Sequence, residues 1–282
     1  MKANPHATSA TRESTSSQAR EATPPRAKLT DDDTRFMQSL ARGLAALEVI
    51  VRGGGAPVTA KTIADETGMS IGTARRCMFT LNATAFARAN RNGAVPGVSL
   101  ARIVSAYAAT SPFIANCGPI LDRARAALGI TLSLITFNQT ELTVVASSSQ
   151  ASLLKLDLKI GAALPLHCTS AGKVYLAGLD PKTLDSVLAE IDLTPHTQHT
   201  ITQRLELRRQ VAEVREQGYA ISDQEMTLGV RTASVPLVSR RGIAVGAVSA
   251  AMLLPATGLR AIRSSIIPEL KAAADELSEF AI

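Results

Sequence analysis

The 282-residue chain is 46% hydrophobic and 19% charged, which suits a folded globular protein of two ordinary domains and excludes a disordered or fibrous one. No run reaches the roughly 18 apolar residues a membrane helix needs, and the first thirty positions lack the apolar segment of a signal peptide, so a cytoplasmic protein without membrane contact is expected. The net charge of +6 is entirely N-terminal: residues 1–110 hold 14 Lys and Arg against 8 Asp and Glu, while residues 111–282 hold 16 of each.

Residues 1–33 are rich in Ala, Ser, Thr, Pro and Arg without apolar periodicity and are expected to be a disordered tail. Phe36, Leu40, Leu44, Leu47 and Val51 then fall on one helical stripe, which Gly53-Gly54-Gly55 ends. Thr59 is placed to cap a second helix with Ile63 and Ala64 inward. Gly68-Met69 makes a turn, and Ser70 caps a third helix on which Ala74, Cys77, Met78 and Leu81 recur at helical spacing. Short helices joined by a tight Gly-containing turn predict a helix-turn-helix. The third helix turns Gly72, Thr73, Arg75, Arg76 and Thr80 away from the core, and no acidic residue occurs between Glu66 and Asp122. Guanidinium forks, hydroxyls and a glycine allowing close approach suit the phosphates and base edges of double-stranded DNA. Asn90-Arg91-Asn92-Gly93 has hairpin-turn chemistry, so residues 84–97 read as a wing in which Arg91 adds a phosphate contact.

Residues 98–109 form another apolar helix that Ser111-Pro112 breaks, and the interdomain connector is placed at 98–118. Beyond it come a helix from Pro119 to about Leu128, strands at 131–137, 142–147 and 153–158, helices at about 170–178, 181–190 and 203–217, strands at about 231–239 and 243–252, and a last helix at about 259–279. Strands joined by hairpins and interspersed with helices indicate an α+β domain with a mostly antiparallel sheet. The domain plan is therefore a tail (1–33), a winged helix-turn-helix (34–97), a helical linker (98–118) and a larger α+β domain (119–282), whose balanced charge suits a small ligand or another protein chain.

No catalytic residue, metal or cofactor is expected. Cys77, Cys117 and Cys168 show no CxxC spacing, and the four histidines give neither HExxH nor a His/Cys cluster. His167, Cys168 and Ser170 are near neighbours on a loop, where a nucleophile and its base seldom converge, and no GxSxG, P-loop or GxGxxG is present. His167 is expected to be a packed edge residue, and Arg231 to pair with Glu225 or a helix carboxyl end. The alternatives weighed are an enzyme and a DNA-binding architectural protein whose larger domain serves assembly alone.

Phe36-Met37-Gln38-Ser39-Leu40-Ala41-Arg42-Gly43-Leu44, Thr73-Ala74-Arg75-Arg76 with Leu81, the run Leu164 to Lys173, and Gly218-Tyr219-Ala220 through Gly229-Val230-Arg231 to Ala233-Ser234-Val235-Pro236 together resemble the IclR family of transcription regulators from Thr34 onward. The resemblance implies a GAF-like effector domain, a homodimer or homotetramer, operator DNA as partner and, where a member activates, RNA polymerase. It implies a ligand pocket at the helix start Ser170-Ala171, with Thr169, Ser222, Thr232 and Ser249 as polar lining and Ala251 where some members carry serine. The opening helix and Ala-Arg-Arg segment look most like the branch regulating the β-ketoadipate pathway, which implies protocatechuate, 4-hydroxybenzoate, β-ketoadipate or a related acid as effector. The alternative is a non-aromatic keto or hydroxy acid. The chain departs from the family where Gly-Tyr-Val is replaced by Ala85-Phe86-Ala87 and where the wing's Tyr-x-Leu is replaced by Pro96-Gly97-Val98-Ser99-Leu100.

Overall fold

The computed structural model describes residues 35–138, 141–149 and 160–281. The expected tail and the strand at 153–158 lie outside the described residues.

The N-terminal unit holds α1 (Gln38–Arg52), α2 (Ala60–Thr67), α3 (Ile71–Ala83) and a hairpin of β1 (Ala87–Asn90) and β2 (Gly93–Pro96). Local signals set each boundary. Thr59 Oγ1 accepts the Thr62 N–H at 3.1 Å, Ser70 Oγ accepts the Thr73 N–H at 3.2 Å, and Gly68 ends α2 with φ +71°. These contacts satisfy first-turn amides that the helix cannot pair for itself. The core here joins Ala46, Val49, Ile50, Val58, Ile63, Ala64, Ala74, Leu81, Ala87 and Ala94. The α1 stripe read from the sequence is not its buried face. Leu40, Leu44 and Val51 are exposed, and the inward side is the smaller Ala46, Val49, Ile50 set. Two apolar faces compete on this helix, and the short side chains fit beneath α3.

The hairpin forms despite its unusual sequence. Asn90 pairs with Gly93 across a two-residue loop, and Val58 bonds Ala94 in both directions at 2.8 and 2.9 Å. At its base, Ala85 adopts φ +59°, the left-handed region that glycine takes most readily. Gly97 lies so close that any Cβ there would meet the Ala85 carbonyl.

Helix α4 (Val98–Thr110) follows, and α5 (Pro112–Leu128) begins seven residues earlier than Pro119. Ser111 caps α5 with Pro112 in its first turn, where a missing N–H is harmless, and Pro119 is accommodated inside the helix. The two helices meet at 80°. The segment 98–118, expected as the connector, thus spans α4 and the first two turns of α5. No single helix among the described residues is long and apolar enough to cross a membrane.

The C-terminal unit is a six-stranded antiparallel sheet ordered β5-β4-β3-β8-β7-β6, with β3 (Thr131–Asn138), β4 (Glu141–Ser148), β5 (Ala163–Leu164), β6 (Ala220–Asp223), β7 (Val230–Val238) and β8 (Ala244–Leu253). Strands β5 and β6 were not anticipated, being short edge strands without a readable alternation. Side chains alternate between two layers. Leu132, Leu134, Ala233, Val235, Val248, Ala250 and Met252 pack on α5 and the C-terminal helices, which are α9 (Leu259–Ala261), a π-helical turn (Ile262–Ile266) and α10 (Ile267–Ser278). The opposite face, with Ile135, Leu142, Val144 and Ala247, packs on α6 (Ser170–Gly178), α7 (Pro181–Glu190) and α8 (Arg204–Gln217). The chain is therefore α+β, a helix-turn-helix unit followed by a mixed helix and sheet unit.

Candidate functional site

On α3, Ser70, Gly72, Arg75, Arg76 and Thr80 are exposed and Thr73 is half-buried. Arg76 reaches Thr73 Oγ1 at 3.4 Å, and Arg91 stands exposed at the tip of the hairpin. Among the described residues, no carboxylate pairs with Arg75, Arg76, Arg88 or Arg91, so the surface keeps its positive charge for an external anion. Sequence reasoning missed Phe79, which is 77% exposed one turn beyond Arg75 on the same side of α3. The signal was available: Phe79 lies outside the spacing of Ala74, Cys77, Met78 and Leu81.

In the C-terminal unit, a cavity of about 200 Å³ lies between the sheet and the start of α6. Thr169, Ser170, Ala171, Ser222, Thr232 and Ser249, the whole ligand set expected from sequence, line it together with Ile135, Leu164, Cys168, Met226, Thr227, Val230 and Ala251. Segments 50 to 80 residues apart in sequence are brought together because β7 and β8 pair Thr232 with Ala251 and Ser234 with Ser249, while α6 lies across them.

Each hydroxyl also has structural work. Thr169 Oγ1 donates to the Pro165 carbonyl at 2.6 Å and accepts the Gly172 N–H at 3.0 Å, capping α6. Ser222 Oγ donates to the Cys168 carbonyl at 2.9 Å. Ser170 Oγ donates to Thr232 Oγ1 at 2.8 Å and lies 2.7 Å from Ser234 Oγ, which donates to Ser249 Oγ at 2.9 Å. The Ser170 and Ala171 amides, first in α6, take no acceptor among the described residues, so they remain open to an anion. Gly172 fixes this helix start against the segment that leads into it, since a Cβ there would collide with the Leu166 carbonyl.

Behind α6 lies a charge that sequence did not place. Lys173 is 1% exposed, and its ammonium donates to Glu225 Oε1 at 2.5 Å and to Gln210 Oε1 at 2.6 Å. Burial pushes Lys173 below its ordinary value, and the Glu225 carboxylate opposes that shift. Glu225 Oε2 is buried without a hydrogen bond. Arg231 pairs with Asp223 Oδ2 at 2.7 Å and donates to the Thr257 carbonyl at 2.8 Å, so its partner is neither Glu225 nor a helix end.

His167 is a packed residue, 2% exposed, with Nε2 3.0 Å from the Thr194 carbonyl. Burial, the largest influence, pushes its pKa below the ordinary value. The Cys168 thiol is pushed up to about 12, first by burial and then by Glu225. The chain spacing that suggested no His/Cys cluster is overturned in space: donor atoms of His167, Cys168 and His196 lie within 4.8 Å of one another. His196 arrives from the loop after α7, 28 positions beyond Cys168, which no local pattern could signal.

Comparison with known proteins places these features. Residues 39–91 match the IclR helix-turn-helix domain, and residues 105–279 match the bacterial transcriptional regulator IclR C-terminal domain. The Pca regulon regulatory protein of Pseudomonas putida is 28% identical over 246 residues, covering 87% of this chain and 84% of its own length. A transcriptional regulator from Rhodococcus sp. RHA1 superposes with a TM-score of 0.71 at 27% identity, over 87% of this chain and 98% of that one. The inducer-binding domain of the Acinetobacter PobR transcription factor, a double mutant in complex with 3-hydroxybenzoic acid, gives a TM-score of 0.55 at 25% identity, over 58% of this chain and 95% of that one. With both its helix-turn-helix and its sheet unit matched, the chain belongs to the IclR family of DNA-binding transcription regulators, proteins that bind small-molecule effectors and are not enzymes.

Proposed function

We propose that this regulator reads its operator through Ser70, Gly72, Thr73, Arg75, Arg76, Thr80 and Arg91, and that a small carboxylic acid in the α6 cavity controls that binding. The observation carrying the effector half is the convergence of five hydroxyl side chains and two open α6 amides on one cavity. A carboxylate accepts from the Ser170 and Ala171 amides, aided by the positive end of α6. Since a cavity of about 150 Å³ takes benzene, one of about 200 Å³ takes a single-ring acid. The likeness to the Pca regulator and to the PobR domain with its 3-hydroxybenzoic acid favours an aromatic acid over a short keto acid.

Thermal unfolding of the full chain with 4-hydroxybenzoate, protocatechuate, β-ketoadipate and pyruvate tests this reading. A ligand at a hundred times its Kd adds roughly 2.7 kcal/mol, and Ser249→Leu, which fills the cavity, removes that gain. If none of the four acids raises Tm, the effector assignment fails while the DNA-binding function stands.

The working unit proposed is a homodimer, or a dimer of dimers, acting on cytoplasmic DNA. Leu40, Leu44 and Val51 on α1 and Val98, Ile103, Val104 and Tyr107 on α4 are exposed, and a second copy covers them by twofold pairing.

A further inference from the structure

The cluster at the cavity's edge shares only Cys168 with the cavity lining, and the reading above gives it no role. We propose that His167, Cys168 and His196 form a binding site for a borderline divalent cation of the zinc class. Two imidazoles and a sulfur suit such an ion, whereas calcium and magnesium require oxygen. Tetrahedral zinc holds nitrogen at about 2.0–2.1 Å and sulfur at about 2.3 Å, so its donors stand roughly 3.3–3.8 Å apart. These three lie within 4.8 Å of one another already. His167 and Cys168 are fixed in the core, while His196 is exposed on the α7–α8 loop, so the remaining approach falls on the one side chain free to make it.

The surroundings fit the ion. The hydrogen bond from His167 Nε2 to the Thr194 carbonyl assigns the proton to that nitrogen and leaves the other with its lone pair, the outer-shell arrangement of metal-bound histidines. The Glu225 carboxylate, with its unpartnered buried oxygen, and Asp192 both act on His167 with a negative field. On binding, the Cys168 S–H bond gives its proton to water and the sulfur becomes the ligand. Three protein donors leave a fourth position to water.

The ion would act as a staple. Thr197 Oγ1 and Thr200 Oγ1 already tie the His196 loop to the Gln224 and Glu225 carbonyls at 2.7 and 2.6 Å, and that second loop supplies Met226 and Thr227 to the cavity. A metal joining His196 to His167 and Cys168 fixes the same loop to the segment that opens α6. Cation occupancy then tightens the cavity wall without touching DNA.

Titrating the untagged full-length protein with Co²⁺ tests the site, because a cobalt–thiolate bond gives a charge-transfer absorption that cobalt on imidazole alone does not. One equivalent per chain with that absorption is expected. It should vanish in Cys168→Ser and weaken at least tenfold in His196→Ala, whose metal-free Tm stays at the wild-type value because the side chain is exposed. His199→Ala should bind as wild type. Zn²⁺ should raise the Tm of wild type and not of His196→Ala. Absence of the thiolate absorption in wild type, or undiminished affinity in His196→Ala, overturns the proposal. The readouts involve neither effector nor DNA, so a failed effector reading leaves the result interpretable.

Discussion

Ala85 holds a conformation that its side chain resists. At φ +59° its Cβ crowds the following carbonyl, a cost of about 1–2 kcal/mol that glycine escapes. Ala85→Gly should therefore stabilise the N-terminal unit by about 1 kcal/mol in urea unfolding, and a neutral or negative change would show that the wing base is not strained. On α3, Arg75 and Phe79 face the same way but act differently. Losing a guanidinium that reads a base costs roughly 1–3 kcal/mol at one operator position, whereas losing one on phosphate weakens all sequences and flattens the salt dependence. The exposed Phe79 ring offers no charge and suits the methyl of thymine. Phe79→Ala should reduce operator affinity with the salt slope unchanged, while Arg75→Ala with Arg76→Ala should abolish it. A gel-shift titration at several salt concentrations separates the two, and an altered slope in Phe79→Ala would refute its assignment.

Among elements, the hairpin of β6 and β7 is locked at its turn end by Arg231 and Asp223, a register pair next to Ser222 and Thr232 of the cavity. Arg231 holds the Asp223 carboxyl below the usual value of 3.8. The folded chain therefore binds this proton less readily than the unfolded one, so the contribution is full above that value and is lost as pH falls from it through the folded one. Asp223→Asn should destabilise the protein at neutral pH, and its difference from wild type should shrink to nothing on acidification; a difference independent of pH would assign the effect to packing. Solvent reaches this pair, so the gain is modest. What the sequence discloses about such elements follows distance along the chain. Caps at Thr59 and Ser70 act within three residues and were legible, as was the helix start at the cavity. The buried face of α1, the edge strand β6, the burial of Lys173 and the arrival of His196 depend on residues far away in sequence. The α5 boundary failed differently, because Pro119 reads as a start although a longer helix tolerates it.

For the whole molecule, the exposed apolar residues of α1 and α4 predict self-association. Sedimentation at micromolar concentration should show a dimer or tetramer, and charged replacements at Leu44 and Val104 should shift it toward monomer while weakening operator binding much more than binding to a half-site. Two recognition helices on one rigid unit engage a palindrome at high effective concentration, an advantage that the monomer lacks. A monomeric wild type that still binds a full operator tightly would contradict this.

The hydroxyls of Thr232, Ser170, Ser234 and Ser249 follow one another at 2.8, 2.7 and 2.9 Å across α6, β7 and β8. A serine or threonine proton swings about its C–O bond, so each of these hydroxyls can turn its proton from one neighbour to another without moving a heavy atom. The wall it forms is consequently ambivalent, offering a lone pair to a phenolic hydroxyl and a proton to a keto oxygen. Polarity at that end of the guest then discriminates little, and outline discriminates more. Acids of equal shape that differ only in giving or taking a hydrogen bond there should bind within about a factor of ten, close to the net worth of one neutral hydrogen bond, whereas one added methyl group against Ile135 or Val230 should matter more.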